Sequence, residues 1–190
     1  YITGNVPFRN VLVHGLVNDP YGKKMSKSKG NVVNALELVE QYGADAMRFA
    51  LIYGNATGND QSLSYSKLDS ARKFTNKIWN MARFIAMKRS QISSRFNRDK
   101  SQKFDSNLTI KQLSNIAQHE NDKQMIKKVN ELVKEVTGYL DKYSFNLAAE
   151  RLYDFAWHEF ADRYIEDVKS RINENSFIIL NSLFLILLKL

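Results

Sequence analysis

Four lysines, Lys23, Lys24, Lys27 and Lys29, are interleaved with Ser26, Ser28 and Gly30 around the run KMSKSKGN at residues 24–31. Lysine is a compact, movable positive charge. Serine hydroxyls donate to phosphate oxygens, and glycine lets a backbone approach a ligand closely. Such a loop suits a triphosphate whose charge redistributes during reaction, where preorganised cations lower the barrier. The GxxxxGK[ST] spacing of a Walker loop is absent. On these residues alone a solvated basic loop is the competing reading.

A second set of residues could hold nucleic acid. With a helix starting near Ser66 and Ile78 at the centre of its buried face, Lys73, Asn76, Lys77, Asn80, Arg83 and Phe84 fall on the opposite half. Cations for phosphates, amides for base edges and a ring for stacking are what unpaired RNA bases need. The competing reading packs Phe84 under a neighbouring loop. Trp79 lies on the flank and is expected in the core. Further on, Trp157, His158, Asp162 and Arg163 give no catalytic geometry. His158 is expected as a partly buried polar residue, since no metal-ligating partner lies at helical spacing.

Charge follows these two regions. The net charge is +8, but residues 1–34 carry +4 and residues 66–103 carry +9, while 35–65 carry −3 and 104–190 carry −2. A local excess of this size favours a polyanion, nucleic acid first. The chain has no cysteine, so neither a disulfide framework nor a thiolate metal site is available. Its three histidines are too scattered for a zinc cluster. No secretory signal precedes the first elements. The apolar run at residues 177–190 is too short to span a bilayer and is expected as a buried bundle helix.

The elements that must position these groups can be read in outline. Residues 11–17 (VLVHGLV) have the character of a buried strand. Residues 19–22 (DPYG) form a turn. Asn34 caps a helix that Gly43 closes after Tyr42, and Asp45 caps a second over 46–53. Leu68, Ala71, Thr75, Ile78, Ala82 and Ile85 mark one face of a long helix. Residues 93–108 are loop-like. Ile126, Val129, Val133, Val136, Leu140 and Tyr143 give another helix, Asn146 caps a third, and Asn173 or Asn175 starts a fourth. The fold class is therefore mainly α: a strand-loop-helix remnant of a Rossmann-like α/β domain at residues 1–65, then an antiparallel helical bundle at 66–190. The chain opens on a strand-like run and stops inside an apolar helix, so it is read as a segment.

Residues 24–28, KMSKS, with HGLVNDPYGKKMSKSKGNVV, YGADAMRFAL, FTNKIWNMARFI and NLAAERLYDFAWHEFADRYIE, resemble the class I aminoacyl-tRNA synthetases. Among these the valine branch is closer than the isoleucine, leucine or methionine branches. The resemblance is close over residues 4–91 and looser over 120–172. It implies that the loop closes on ATP, brought as its Mg2+ complex, while an amino acid is activated for transfer to tRNA. By position, Lys24, Met25, Ser26, Lys27 and Ser28 bind ATP, and Lys24 and Lys27 are catalytic. The bundle would be an anticodon-binding domain, with Lys73, Lys77, Arg83 and Phe84 touching tRNA. Valine, ATP and tRNA(Val) would be the partners, with no tightly bound cofactor, no metal site and no membrane, in a cytoplasmic and monomeric parent enzyme. The HIGH motif and the editing domain of that family are missing here, so the segment is expected to be inactive alone. Another class I synthetase, or a non-catalytic helical tRNA-binding module, are the alternatives. The family's NVIDP reads NVVNA at residues 31–35, implying a looser helix start. The family's Trp after an Asp-x pair is replaced at Asp122-Lys123-Gln124, which leaves the start of the bundle's second helix open.

Overall fold

The structure is a computed structural model that describes residues 4–95 and 108–190. Its elements run β1 (Val17–Asn18), α1 (Ala35–Tyr42), α2 (Ala44–Ile52), β2 (Gln61–Ser62), α3 (Tyr65–Arg95), α4 (Ile110–Ile116), α5 (Glu120–Asp141) and α6 (Phe145–Asp154). A π-helical stretch, Phe155–Ile165, then leads into α7 (Glu166–Arg171), and α8 (Glu174–Lys189) follows. The described residues are mainly helical, with one small parallel sheet in which Val17 pairs with Gln61 and Asn18 with Ser62.

The strand expected over 11–17 is reduced to its last residue plus Asn18. Val11 and Val13 are exposed. A buried parallel strand needs neighbours on both sides and cover on both faces, whereas among the described residues β1 pairs with β2 and, through a single antiparallel bridge at Asn18, with Lys24. Gly15 makes the pairing possible. A Cβ there would lie 1.9 Å from the Asn59 carbonyl oxygen, so only glycine allows the two backbones this close.

Capping chemistry explains the next two helices. Asn34 accepts from the Leu36 N–H at 3.0 Å and its own amide donates to Glu37 at 3.0 Å, so the helix start is pinned without the family's proline. Gly43, at φ 92°, both closes α1 and precedes α2. Asp45 lies in the first turn of α2, not at its cap. Ahead of α3, the Ser64 hydroxyl accepts from the Lys67 N–H at 3.3 Å.

The expected stripe on α3 is rotated. Leu68, Ala71, Phe74, Met81, Ile85 and Ile92 are buried, whereas Thr75, Ile78 and Ala82 are half-buried. The true centre lies near Met81, about 60° round the helix from Ile78. Phe74 and Met81 fill more core volume than Thr75 and Ala82, so they take the inward positions. The first turns of α3 complete a small core with Leu38, Tyr42, Ala46, Ala50 and Leu63. The rest of α3 packs into a larger core with α4, α5, the π stretch and α8.

Two features of that core were not expected. The helix α4 is set by a capping box between Thr109 and Gln112. The π stretch answers a five-residue spacing: Phe155, Phe160 and Ile165 are all buried, and an i→i+5 register brings them to one side. The helix leading into it starts at Phe145 after Ser144, so Asn146 is not its cap. At the other end, Asn173 caps α8 with Ser176. In α8, Phe177, Ile179, Leu180 and Leu183 are fully buried, as the short apolar run implied. No helix among the described residues is long and apolar enough to cross a membrane.

The start of α5 is well defined: His119 caps it, accepting from the Asn121 N–H at 3.2 Å. Just inside, buried Asp122 accepts from the Tyr164 hydroxyl at 2.9 Å and from Arg171 at 2.7 Å and 3.1 Å. Arg171 also pairs with Asp167. These bonds tie α5 to the π stretch and α7. The expected loop at 93–108 begins with residues still in α3 at 93–95 and ends at Leu108, which packs against the larger core; residues 96–107 lie outside the described residues.

Candidate phosphate loop and nucleic-acid face

The lysine loop is built on a buried carboxylate. Asp19 follows β1 and opens the tight turn in which the Gly22 N–H donates to its carbonyl at 2.9 Å. The returning strand pairs Lys24 with Asn18. One Asp19 oxygen accepts from the backbone N–H of Tyr21 at 3.0 Å and of Lys23 at 2.8 Å. The other accepts from the Asn31 amide at 2.9 Å. The Asn31 amide, followed by the Lys23 N–H, holds the Asp19 carboxyl below the usual carboxylate range.

Asn31 closes the loop from its far end. Besides Asp19, its amide reaches the Lys24 carbonyl at 3.2 Å, and its oxygen accepts from the Ser26 N–H at 2.9 Å. Between these clamps, residues 27–29 make one 3-10 turn that ends on Gly30 at φ 66°, where a side chain would be strained. The Ser26 and Ser28 hydroxyls are 2.7 Å apart. Met25 is half-buried and its sulfur accepts from the Val33 N–H at 3.3 Å. Met25 therefore anchors the loop.

Lys23, Lys24, Lys27 and Lys29 are all exposed. None forms an ion pair among the described residues. Lys24, Lys27 and Lys29 thus present unpaired ammonium groups from a fixed backbone, while the Lys23 charge acts on Asp19; this is the arrangement a polyphosphate needs. The sequence singled out residues 24–28 but not Asp19 or Asn31. An Asp opening a turn and an Asn ending a glycine loop were the available signals, both being local backbone binders.

The helical face is less uniform than its sequence suggested. Lys73 and Arg83 are exposed and carry no ion pair among the described residues. Lys77 is half-buried: its ammonium pairs with Asp162 at 2.7 Å and lies 5.4 Å from the centre of the Trp157 ring. Phe84 is half-buried against the larger core. The Lys169 and Lys88 ammonium groups lie 5.2 and 5.8 Å from its ring centre. One side of it opens on a hollow shared with Lys77, Asn80, Glu166 and Lys169. The rotated helix brings Phe84 and Lys77 to the edge of the buried face, away from its opposite side.

Trp79 is corrected outright. It is 66% exposed and not in the core. Trp157 instead joins an aromatic seam of Phe49, Tyr53, Phe74 and Tyr153, with neighbouring ring centres between 4.8 and 5.6 Å. That seam packs α2 and α3 onto the later helices. His158 is exposed, 3.7 Å from Asp162, and Arg163 is exposed too. Among the described residues no cluster of His, Cys, Asp and Glu could hold a metal ion.

Comparison with known proteins matches residues 1–64 to the sequence model of class I tRNA synthetases for isoleucine, leucine, methionine and valine. Residues 122–190 match the anticodon-binding domain of tRNA ligases. The valine–tRNA ligase of Clostridium tetani is 44% identical over 165 residues, 85% of this chain and 17% of that protein. That of Streptococcus thermophilus is 39% identical over 186 residues, 96% of this chain and 20% of that protein. The chain belongs to the class I tRNA synthetase family. It spans about a fifth of the length of the curated relatives it matches. Two solved class I synthetases share its fold. One is a LeuRS of Agrobacterium radiobacter K84 in a ternary complex with tRNA and LeuAMS, at 18% identity and TM-score 0.68, covering 93% of this chain and 20% of that one. The other is the methionyl-tRNA synthetase of Mycobacterium tuberculosis with methionyl-adenylate, at 20% identity and TM-score 0.57, covering 92% of this chain and 32% of that one.

Proposed function

We propose that this chain is the segment of a valine–tRNA ligase that carries the pyrophosphate side of the ATP site and the anticodon-binding bundle. The observation that carries the proposal is the KMSKS loop, held by Asp19 and Asn31 with its lysines unpaired. Residues 1–65 are assigned to the C-terminal part of the catalytic domain. Residues 66–190 are assigned to an antiparallel helical bundle. Mg2+ arrives with ATP as part of the substrate. The parent enzyme is taken as a cytoplasmic monomer.

In the first step a valine carboxylate oxygen attacks the α-phosphorus of ATP. The new O–P bond forms as the bond to the bridging oxygen breaks, and pyrophosphate leaves with its electrons. Lys24 and Lys27 meet the negative charge that builds on the leaving group, Lys27 most directly. Ser26 and Ser28 offer hydroxyls to phosphate oxygens. Met25 fixes the loop to the segment ahead of α1 by accepting from the Val33 N–H. No covalent chemistry is asked of the loop, as in phosphoryl transfer generally. In the second step a terminal ribose hydroxyl of tRNA(Val) attacks the valyl carbonyl carbon and loses its proton; an ester bond forms as the anhydride bond breaks, and AMP leaves.

On the bundle, Lys73 and Arg83 are assigned to tRNA phosphates. Phe84 is assigned to a base entering the hollow beside Lys169. Lys77 lines that hollow with its charge already paired to Asp162, so its part is to shape the site. The test is ATP–pyrophosphate exchange by the full-length enzyme with valine, isoleucine, leucine and methionine in turn. Exchange with valine far above the others is expected. Preference for another amino acid, or no exchange at all, would overturn the assignment.

A further inference from the structure

The outward side of α3 carries an aromatic ring that the reading above leaves unused. Trp79 is 66% exposed and makes no ring contact among the described residues. At 3.6 residues per turn, Arg72, Asn76 and Arg83 lie within about 60° of it around the helix. All three are exposed. Arg72 and Arg83 have no ion pair among the described residues. An indole exposed to this degree contributes little to folding, because its large apolar area stays in water.

The chemistry of its neighbours decides what could cover it. A protein partner would need a contiguous apolar patch. The other large exposed apolar side chains on this side of α3 are Tyr65 and Met87, 50% and 52% exposed, each two or more turns away along the helix, so they form no contiguous patch with Trp79. Unpaired guanidinium groups, an amide and a flat ring match a nucleic-acid strand: charge for phosphates, a π face for any base. The face is also continuous with the hollow at Phe84. Going round α3 from Trp79, Arg83, Asn76, Asn80 and Lys73 follow in order until Phe84 is reached. The two rings are about 7.5 Å apart along the helix axis and about 140° apart around it.

We infer that Trp79 is a second stacking platform, on which an unpaired RNA base lies after the strand has crossed α3 from the Phe84 hollow. Arg83 and Arg72 contact the flanking phosphates. The inference rests on the tRNA-binding reading and extends it to a residue on the far side of the helix.

The test uses this chain and a synthetic RNA hairpin with the anticodon stem and loop of a valine tRNA. Trp79→Ala should weaken binding about tenfold or more, and Trp79→Phe should retain most of it. Saturating hairpin should quench tryptophan emission in the wild type, and Trp79→Phe should lose that quenching. Far-UV circular dichroism should be unchanged, since the replaced side chain lies outside the core. If Trp79→Ala binds like wild type while Phe84→Ala weakens binding, the second platform is wrong and the tRNA reading stands. If the wild type fails to bind the hairpin, the tRNA reading falls and this inference with it. If acrylamide cannot reach Trp79 in the RNA-free full-length enzyme, another part of that protein covers the ring and the inference is overturned.

Discussion

Replacing Asn31 by Ala removes three hydrogen bonds at once: to the Asp19 carboxylate at 2.9 Å, to the Lys24 carbonyl at 3.2 Å and from the Ser26 N–H at 2.9 Å. Asn31 is half-buried, so water replaces part of what is lost. At about 1 kcal/mol per bond, discounted for that replacement, the closed loop loses roughly 2–3 kcal/mol. Since about 1.4 kcal/mol is tenfold in an equilibrium, the Ser26 amide should exchange its proton about 30- to 140-fold faster. Global stability should barely change, because neither hydrophobic core includes Asn31. A reciprocal exchange sharpens the test. Asn31→Asp sets two carboxylates face to face, and Asp19→Asn sets two amides face to face. The double variant D19N/N31D restores one donor against one acceptor and should recover most of the Ser26 protection. Amide exchange by NMR reads all four proteins. In the full-length enzyme the single variants should lower kcat for pyrophosphate exchange more than they raise the KM for ATP, and the double variant should recover part of the loss. Ser26 exchange in N31A within about twofold of wild type, or a double variant no better than its parents, would refute the clamp.

Other consequences follow from the bundle. Asp122→Ala leaves Arg171 half-paired and the buried Tyr164 hydroxyl without its acceptor, so urea unfolding should show a loss of about 3–5 kcal/mol. Replacing Asp122 and Arg171 together by apolar residues of similar size, with Tyr164→Phe to remove the orphaned hydroxyl, should cost far less. The Arg171 guanidinium holds the Asp167 carboxyl below its usual range. A group depressed on folding contributes stability above its unfolded value and loses it as pH falls through the folded value. Stability should therefore decline on acidification below about pH 4, and Asp167→Asn should flatten that decline while lowering stability at neutral pH. Phe84→Ala should weaken hairpin binding by about 1–3 kcal/mol if a base stacks there, measured by titration with thermal stability as control.

How much of this was legible depended on whether the signal was local. Asn34 and Gly43 act on their own neighbours, so their caps could be read directly, while Asn173 was one of two candidates beside Asn175 and the structure chooses it. The lysine loop could be located for the same reason. Its shape could not, because Asp19 and Asn31 meet across twelve residues through a side-chain bond. Trp79 and Phe84 were misplaced by one choice, centring the α3 stripe on Ile78. Local spacing cannot tell whether Thr75 or Phe74 faces inward, and the volume available against later helices decides it. The π stretch was hidden likewise. Its five-residue spacing of Phe155, Phe160 and Ile165 has meaning only once a core lies on one side.

The most direct measurement is single-turnover valyl-adenylate formation by the full-length enzyme carrying Lys27→Ala, with ATP affinity determined on the same protein. If this ammonium meets the charge of departing pyrophosphate, the rate should fall about 100- to 1000-fold while ATP affinity changes only a few-fold. Equal losses in rate and affinity would make Lys27 a ground-state anchor, and an unchanged rate would remove the loop from the chemistry altogether.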